Sequence, residues 1–134
     1  MKFFLLFYLA LITIFFSFFH QDKELEKSIQ RGSEVYADFC VTCHLTEGEG
    51  VKNAFPPLAK SDYLSKNREE SIKGIKYGQK GELIVNGVTY NGTMPPMGLE
   101  DDEIADVMNY IVNSWGNTST KMVTPEEVAT LTDK

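Results

Sequence analysis

Phe3 to Phe19 is a seventeen-residue apolar run broken only by Tyr8, Thr13 and Ser17, with Lys2 as its one positive charge. That is longer than the core of an ordinary signal peptide and at the short limit for a membrane span. No small-x-small pattern precedes His20-Gln21-Asp22, and no cysteine is available there for lipidation. Residues 1–21 therefore read as a signal peptide or an uncleaved N-terminal membrane anchor, with the anchor preferred. Both send the remaining chain across a membrane. Asp22 to Gln30 is charged and polar, a short tether or the first turns of a helix.

Ser28 to Phe39 has helical spacing, with Ile29, Gly32, Val35, Tyr36 and Phe39 on one side. Gly32 costs a helix about 1 kcal/mol relative to alanine, which close approach of a second helix would offset. Thr46 to Ala54 is a polar loop leading into Phe55-Pro56-Pro57-Leu58-Ala59, stiffened by its prolines and anchored by Phe55 and Leu58. Ser65 to Tyr77 predicts a helix with Ile72, Ile75 and Tyr77 apolar, Asn67 or Ser65 as cap, and Gly78 and Gly81 ending it. Leu83 to Tyr90 alternates around Asn86-Gly87 and predicts a small two-residue hairpin. Asn91 to Gly98 is a proline-stiffened loop carrying Met94 and Met97. Asp101 to Ser114 is the strongest helix signal. Its acidic start suits the helix dipole, Ile104, Val107, Met108, Ile111, Val112 and Trp115 form the buried stripe, and Gly116 stops it. After a linker, Thr124-Pro125-Glu126-Glu127 caps a short helix through Leu131. The pattern divides into 1–21, a mainly helical domain over 22–117, and a C-terminal extension over 118–134.

A chain of 134 residues is long enough for one domain with a modest core. The net charge of −6 argues against nucleic acid or an anionic membrane surface as partner and permits a partner with a basic patch.

The candidate chemistry lies in Cys40-Val41-Thr42-Cys43-His44. Two thiols three residues apart, followed by histidine, are the attachment signal for c-type haem. On a helical turn both sulfurs reach one edge of a porphyrin, and the imidazole can ligate its iron axially. A disulfide would leave His44 unexplained. A thioredoxin-like dithiol needs a βαβ setting, and a zinc site needs about four ligands where this chain has two cysteines and two histidines. A bound histidine needs an acceptor for its other ring nitrogen, and a carbonyl of the 55–59 stretch is the candidate. For the sixth ligand, His20, Met1, Met108 and Met122 are set aside by position. Met94 and Met97 remain. Met94 is preferred because prolines directly follow it, and Met97 is the alternative. Were neither methionine to bind, a five-coordinate iron or a lysine or water ligand would result.

Together, Gly32-x-x-x-Tyr36-x-x-x-Cys40-x-x-Cys43-His44, Phe55-Pro56-Pro57-Leu58-Ala59, Met94-Pro95-Pro96-Met97-Gly98 and Asp102-Glu103-Ile104-Ala105-Asp106-Val107 resemble bacterial monohaem class I cytochromes c, from about Ile29 to Trp115. The resemblance implies an all-α class I cytochrome c fold around one covalent haem, with the first and last main helices crossing near Gly32 and Tyr110 and the hairpin before the methionine loop. It implies thioethers at Cys40 and Cys43, proximal His44 held by the Pro56 carbonyl, and distal Met94. The family often has serine where Glu100 stands. The hairpin and the Thr124–Lys134 extension resemble a subgroup found beside respiratory oxidases, reductases and dehydrogenases.

The implied function is electron transfer on the periplasmic side of the bacterial inner membrane, anchored or soluble. Docking would use residues around the haem crevice, including Val41, Thr42 and Met97. A haem enzyme such as a peroxidase or nitrite reductase would need a displaceable sixth ligand and distal proton carriers. The arginines are Arg31 and Arg68, and the histidine outside the leader is His44. A gas or redox sensor would need a signalling domain beyond this length.

Overall fold

The computed structural model describes the backbone of residues 2–119 and 121–133, and side chains for Tyr8 and from residue 22 onward within that range. Six helices and one hairpin follow in the order α1 (Lys2–Phe39), α2 (Val41–His44), α3 (Asp62–Lys66), α4 (Arg68–Tyr77), β1 (Gln79–Val85), β2 (Val88–Met94), α5 (Asp101–Ile111) and α6 (Pro125–Thr130). Of the two readings of Asp22–Gln30, a tether or helical turns, the helical one holds, as part of α1. Among the described residues no helix is long and apolar enough to cross a membrane. The side chains on which the choice of signal or anchor depends, those of Phe3 to Phe19 apart from Tyr8, lie outside the described residues.

The main packing is α1 against α5. A Cβ on Gly32 would collide with the Asp106 carbonyl and stand 2.9 Å from the Tyr110 Cβ. The glycine is therefore what lets the two backbones touch. The crossing also has a buried polar side. Ser28 Oγ donates to Asp106 Oδ1 at 2.6 Å, and Arg31 holds the same carboxylate through Nε and Nη2. Asn109 Nδ2 donates to Ser28 Oγ and to the Val123 carbonyl, while its Oδ1 accepts from the Val123 amide at 2.7 Å. Ile72, Ile104, Val107 and Met108 fill the core beside it.

The C-terminal extension folds onto this domain. Val123 and Val128 are fully buried. Arg68 forks onto Glu127 at 2.7 and 2.8 Å and donates to the Lys121 and Met122 carbonyls.

Several elements differ from expectation. The helix expected over Ser65–Tyr77 is two helices, because Asn67 leaves the helical region at φ −126°, ψ 56°. Ser61 caps α3 through its side chain. Asn67 precedes α4 without a side-chain cap, and its Nδ2 donates back to the Tyr63 carbonyl. Gly78 ends α4 with φ +85°, but Gly81 belongs to β1. The hairpin is longer than Leu83–Tyr90: its register runs from Val85↔Val88 to Gln79↔Met94, so Met94 closes a strand rather than sitting on a loop. The helix expected to Ser114 ends at Ile111, followed by turns to Gly116. Glu100 caps it in a reciprocal box with Glu103.

Candidate haem site

Cys40 to Leu45 forms one helical turn after α1: the Cys43 and His44 amides donate to the Cys40 carbonyl, and the Leu45 amide to that of Val41. This turn carries Cys40, Cys43 and His44 together along the wall of one largely apolar cavity of about 290 Å³. Neither cysteine is in a disulfide. Burial, with a smaller contribution from Cys43, pushes the Cys40 thiol up to about 11, so it stays protonated at neutral pH.

The loop behind the turn is fixed by backbone bonds. Leu45 adopts φ +63°, and the Tyr36 hydroxyl donates to its carbonyl at 2.7 Å. The Gly48 carbonyl accepts from Leu58 and Ala59, and the Gly50 amide donates to His44. Gly50 packs on the Phe55 and Pro56 carbonyls at distances no Cβ would permit. The folded-back loop sets the Pro56 carbonyl 3.0 Å from His44 Nδ1. A carbonyl only accepts, so Nδ1 carries the proton and Nε2 keeps its lone pair. Burial lowers the His44 pKa, partly opposed by the bond to Pro56, so the imidazole is neutral at physiological pH.

Met94 and Met97 border the same cavity, both half-buried. Met94 is paired to Gln79 and packs against the core. Met108 also borders the cavity, but it is fully buried in the α5 stripe, as its spacing suggested. Met122 lies in the segment held by Arg68. Two aromatic expectations change: Phe39, placed on the buried side of α1, is 46% exposed, and the apolar anchor Phe55 is 39% exposed. Both border the cavity, which draws them away from the protein core.

The donor set fits a c-type haem. Two free thiols, a neutral imidazole with one nitrogen already satisfied and a thioether border one apolar space. The alternatives fit less well: the cysteines are unpaired, and among the described residues no three His, Cys, Asp or Glu side chains gather as a metal site.

The Cytochrome c family model matches residues 29–115. The chain belongs to the cytochrome c family. Cytochrome c-552 of Thermus thermophilus is 40% identical over 112 residues, covering 77% of this chain and 85% of that protein. The cytochrome c subunit of gluconate 2-dehydrogenase from Pantoea cypripedii is 33% identical over 123 residues, 84% of this chain but 28% of that protein. The cytochrome c subunit of the quinone alcohol dehydrogenase from Gluconobacter oxydans is 29% identical over 114 residues, 75% of this chain and 21% of that protein. The cytochrome thus binds haem c covalently and functions in electron transfer, with redox proteins as its partners. Its fold is the expected mainly helical one with a small antiparallel hairpin.

Some site features had no place in the sequence reading. Gly81 and Gly92 are paired across the hairpin and both border the cavity, giving it a wall of bare backbone. Counting outward from the Asn86-Gly87 turn would have found this pair. Tyr36, Tyr110 and Trp115 pack mutually at centroid distances of 5.0–5.4 Å behind the Cys40–Leu45 turn, with Gly48 against the indole. Only the crossing of α1 and α5 brings these rings together.

Proposed function

We propose that Cys40 and Cys43 hold the haem as thioethers, that His44 Nε2 and Met94 Sδ are the axial ligands, and that the cytochrome passes single electrons between partners outside the cytoplasmic membrane. The observation that carries this reading is the His44–Pro56 hydrogen bond beside both thiols and Met94 on one apolar cavity. When bound, the haem supplies a one-electron ferric–ferrous couple. Pro56 orients His44 and keeps Nε2 available. Met94 contributes a neutral thioether, which favours a higher potential than a second imidazole. The apolar walls limit water.

We read the protein as a carrier rather than an enzyme. Arg31 and Arg68, the arginines considered for distal proton chemistry, are engaged by Asp106 and Glu127. Thr42, Val41 and Met97, joined by exposed Phe39 and Phe55, offer small and apolar surface for brief docking. The partner would be an oxidase, reductase or dehydrogenase, and likeness to two dehydrogenase cytochrome subunits supports the last. The apolar run Phe3–Phe19 supports export, with an uncleaved anchor preferred.

The test is the absorption spectrum of the exported protein. A low-spin spectrum with the weak long-wavelength methionine–iron band is expected in the oxidised form, with no carbon monoxide binding in the reduced form. Met94→Ala should abolish the band. Loss in Met97→Ala instead would reassign the ligand, and ready carbon monoxide binding would favour an enzyme or sensor.

A further inference from the structure

Met94 sits where three segments meet, and Lys76 ties them together. Upstream, Tyr77 leads directly through Gly78 into the ladder pair Gln79↔Met94. Gly78 has φ +85°, and a Cβ there would stand 2.8 Å from the Met94 carbonyl and 3.0 Å from Pro96. The end of α4 is therefore packed on the methionine arm. Downstream, the arm enters α5 at Asp101, whose carboxylate lies 2.9 Å from Lys76 Nζ. Lys76 also donates to the Val128 carbonyl in α6 at 2.9 Å. The neighbouring Tyr77 hydroxyl donates to the Leu131 carbonyl at 2.8 Å. The lysine side chain is 18% exposed and that of Asp101 37%, so the lysine end of this node is the shielded one.

We infer that Lys76, braced by the C-terminal extension, is a positioning residue for the Met94 arm. It clamps both ends of the arm and thereby sets how readily Met94 leaves the iron. The inference rests on Met94 being the axial ligand. A local clamp of this kind acts on the opening of one segment rather than on global unfolding.

The experiment uses the full holoprotein and its Lys76→Gln, Asp101→Asn and Arg31→Gln variants. Arg31→Gln removes an ion pair at the α1–α5 crossing, away from the arm. Three quantities are measured on each: the rate of imidazole binding to the ferric protein, amide exchange across residues 79–94, and the thermal midpoint. Lys76→Gln and Asp101→Asn should bind imidazole about tenfold faster and exchange faster at Gln79 and Met94. Arg31→Gln should lower the midpoint comparably and leave both local quantities unchanged. If Lys76→Gln changes neither, or if Arg31→Gln speeds both equally, the inference is overturned. Faster exchange in Lys76→Gln with unchanged imidazole binding would overturn the inference if Met94→Ala has abolished the absorption band, and would fault the Met94 assignment if it has not. Met94→Ala, read by loss of its absorption band, tests that assignment separately.

Discussion

Gly32 shows how one hydrogen atom in place of a methyl decides a packing. Alanine favours a helix by about 1 kcal/mol over glycine. Here its Cβ would meet the Asp106 carbonyl, a backbone atom of the facing helix that cannot rotate away. Overpacking of this kind costs about 1–3 kcal/mol, so it outweighs the propensity gain. Gly32→Ala should lower the denaturant midpoint, and a higher midpoint would contradict the close crossing. Pro56 poses a different question, because it holds His44 through a backbone carbonyl. Pro56→Ala keeps that acceptor and should leave the absorption spectrum unchanged. Its cost should be about 0.4–1 kcal/mol, arising from a freer unfolded chain. Loss of the low-spin spectrum would mean that proline stiffness, not the carbonyl alone, orients the ring.

At the level of elements, Asn109 joins what would otherwise be separate pieces. One side chain on α5 satisfies both the amide and the carbonyl of Val123 and reaches Ser28 on α1. All three residues are fully buried. Asn109→Ala strands these groups away from water, at a cost of about 1–3 kcal/mol. Thermal unfolding should show that loss, with amide exchange at Val123 rising more than at the α5 core. An unchanged midpoint would mean that water enters and replaces the asparagine. The hairpin carries the opposite lesson. Its turn was readable from Asn86-Gly87, but its length was not, because Gly81, Glu82, Asn91 and Gly92 are poor strand formers. Pairing extends through them because both ends are anchored: Asn86 exchanges two hydrogen bonds with Asp62, and Met94 packs on the core.

For the molecule as a whole, the extension is a brace across α4 and α5, and its charge pair makes stability depend on pH. The Arg68 hydrogen bonds hold the Glu127 carboxyl below its ordinary value of 4.5. A depressed carboxylate contributes stability that is fully present above the unfolded value and lost as pH falls through the folded one. The thermal midpoint should therefore fall below about pH 4.5, and Glu127→Gln should flatten that acid limb while lowering the midpoint at neutral pH. An acid limb of unchanged slope would assign the effect to other carboxylates. The net charge of −6 acts at longer range. Electron exchange with a basic redox protein should slow as salt is added, because screening removes the steering. A rate independent of salt would point to docking by the apolar rim alone.

What is local could be read from the residues alone. Cys40, Cys43 and His44 lie within one turn, so five consecutive residues carry the proposed haem attachment site. The stripe of α5 and the turn at Asn86-Gly87 follow from spacing and from what single residue types allow. Tertiary structure decided everything that needs two distant segments at once. Among these are the aromatic cluster behind the turn and the buried Ser28–Asp106–Asn109 network. The joining of α4 to Asp101 and Val128 through Lys76 is another. Polar residues such as Asn109 look solvent-facing in a periodic pattern, because periodicity records apolarity and not hydrogen-bond satisfaction. Only the folded chain supplies the partners that make burying them tolerable.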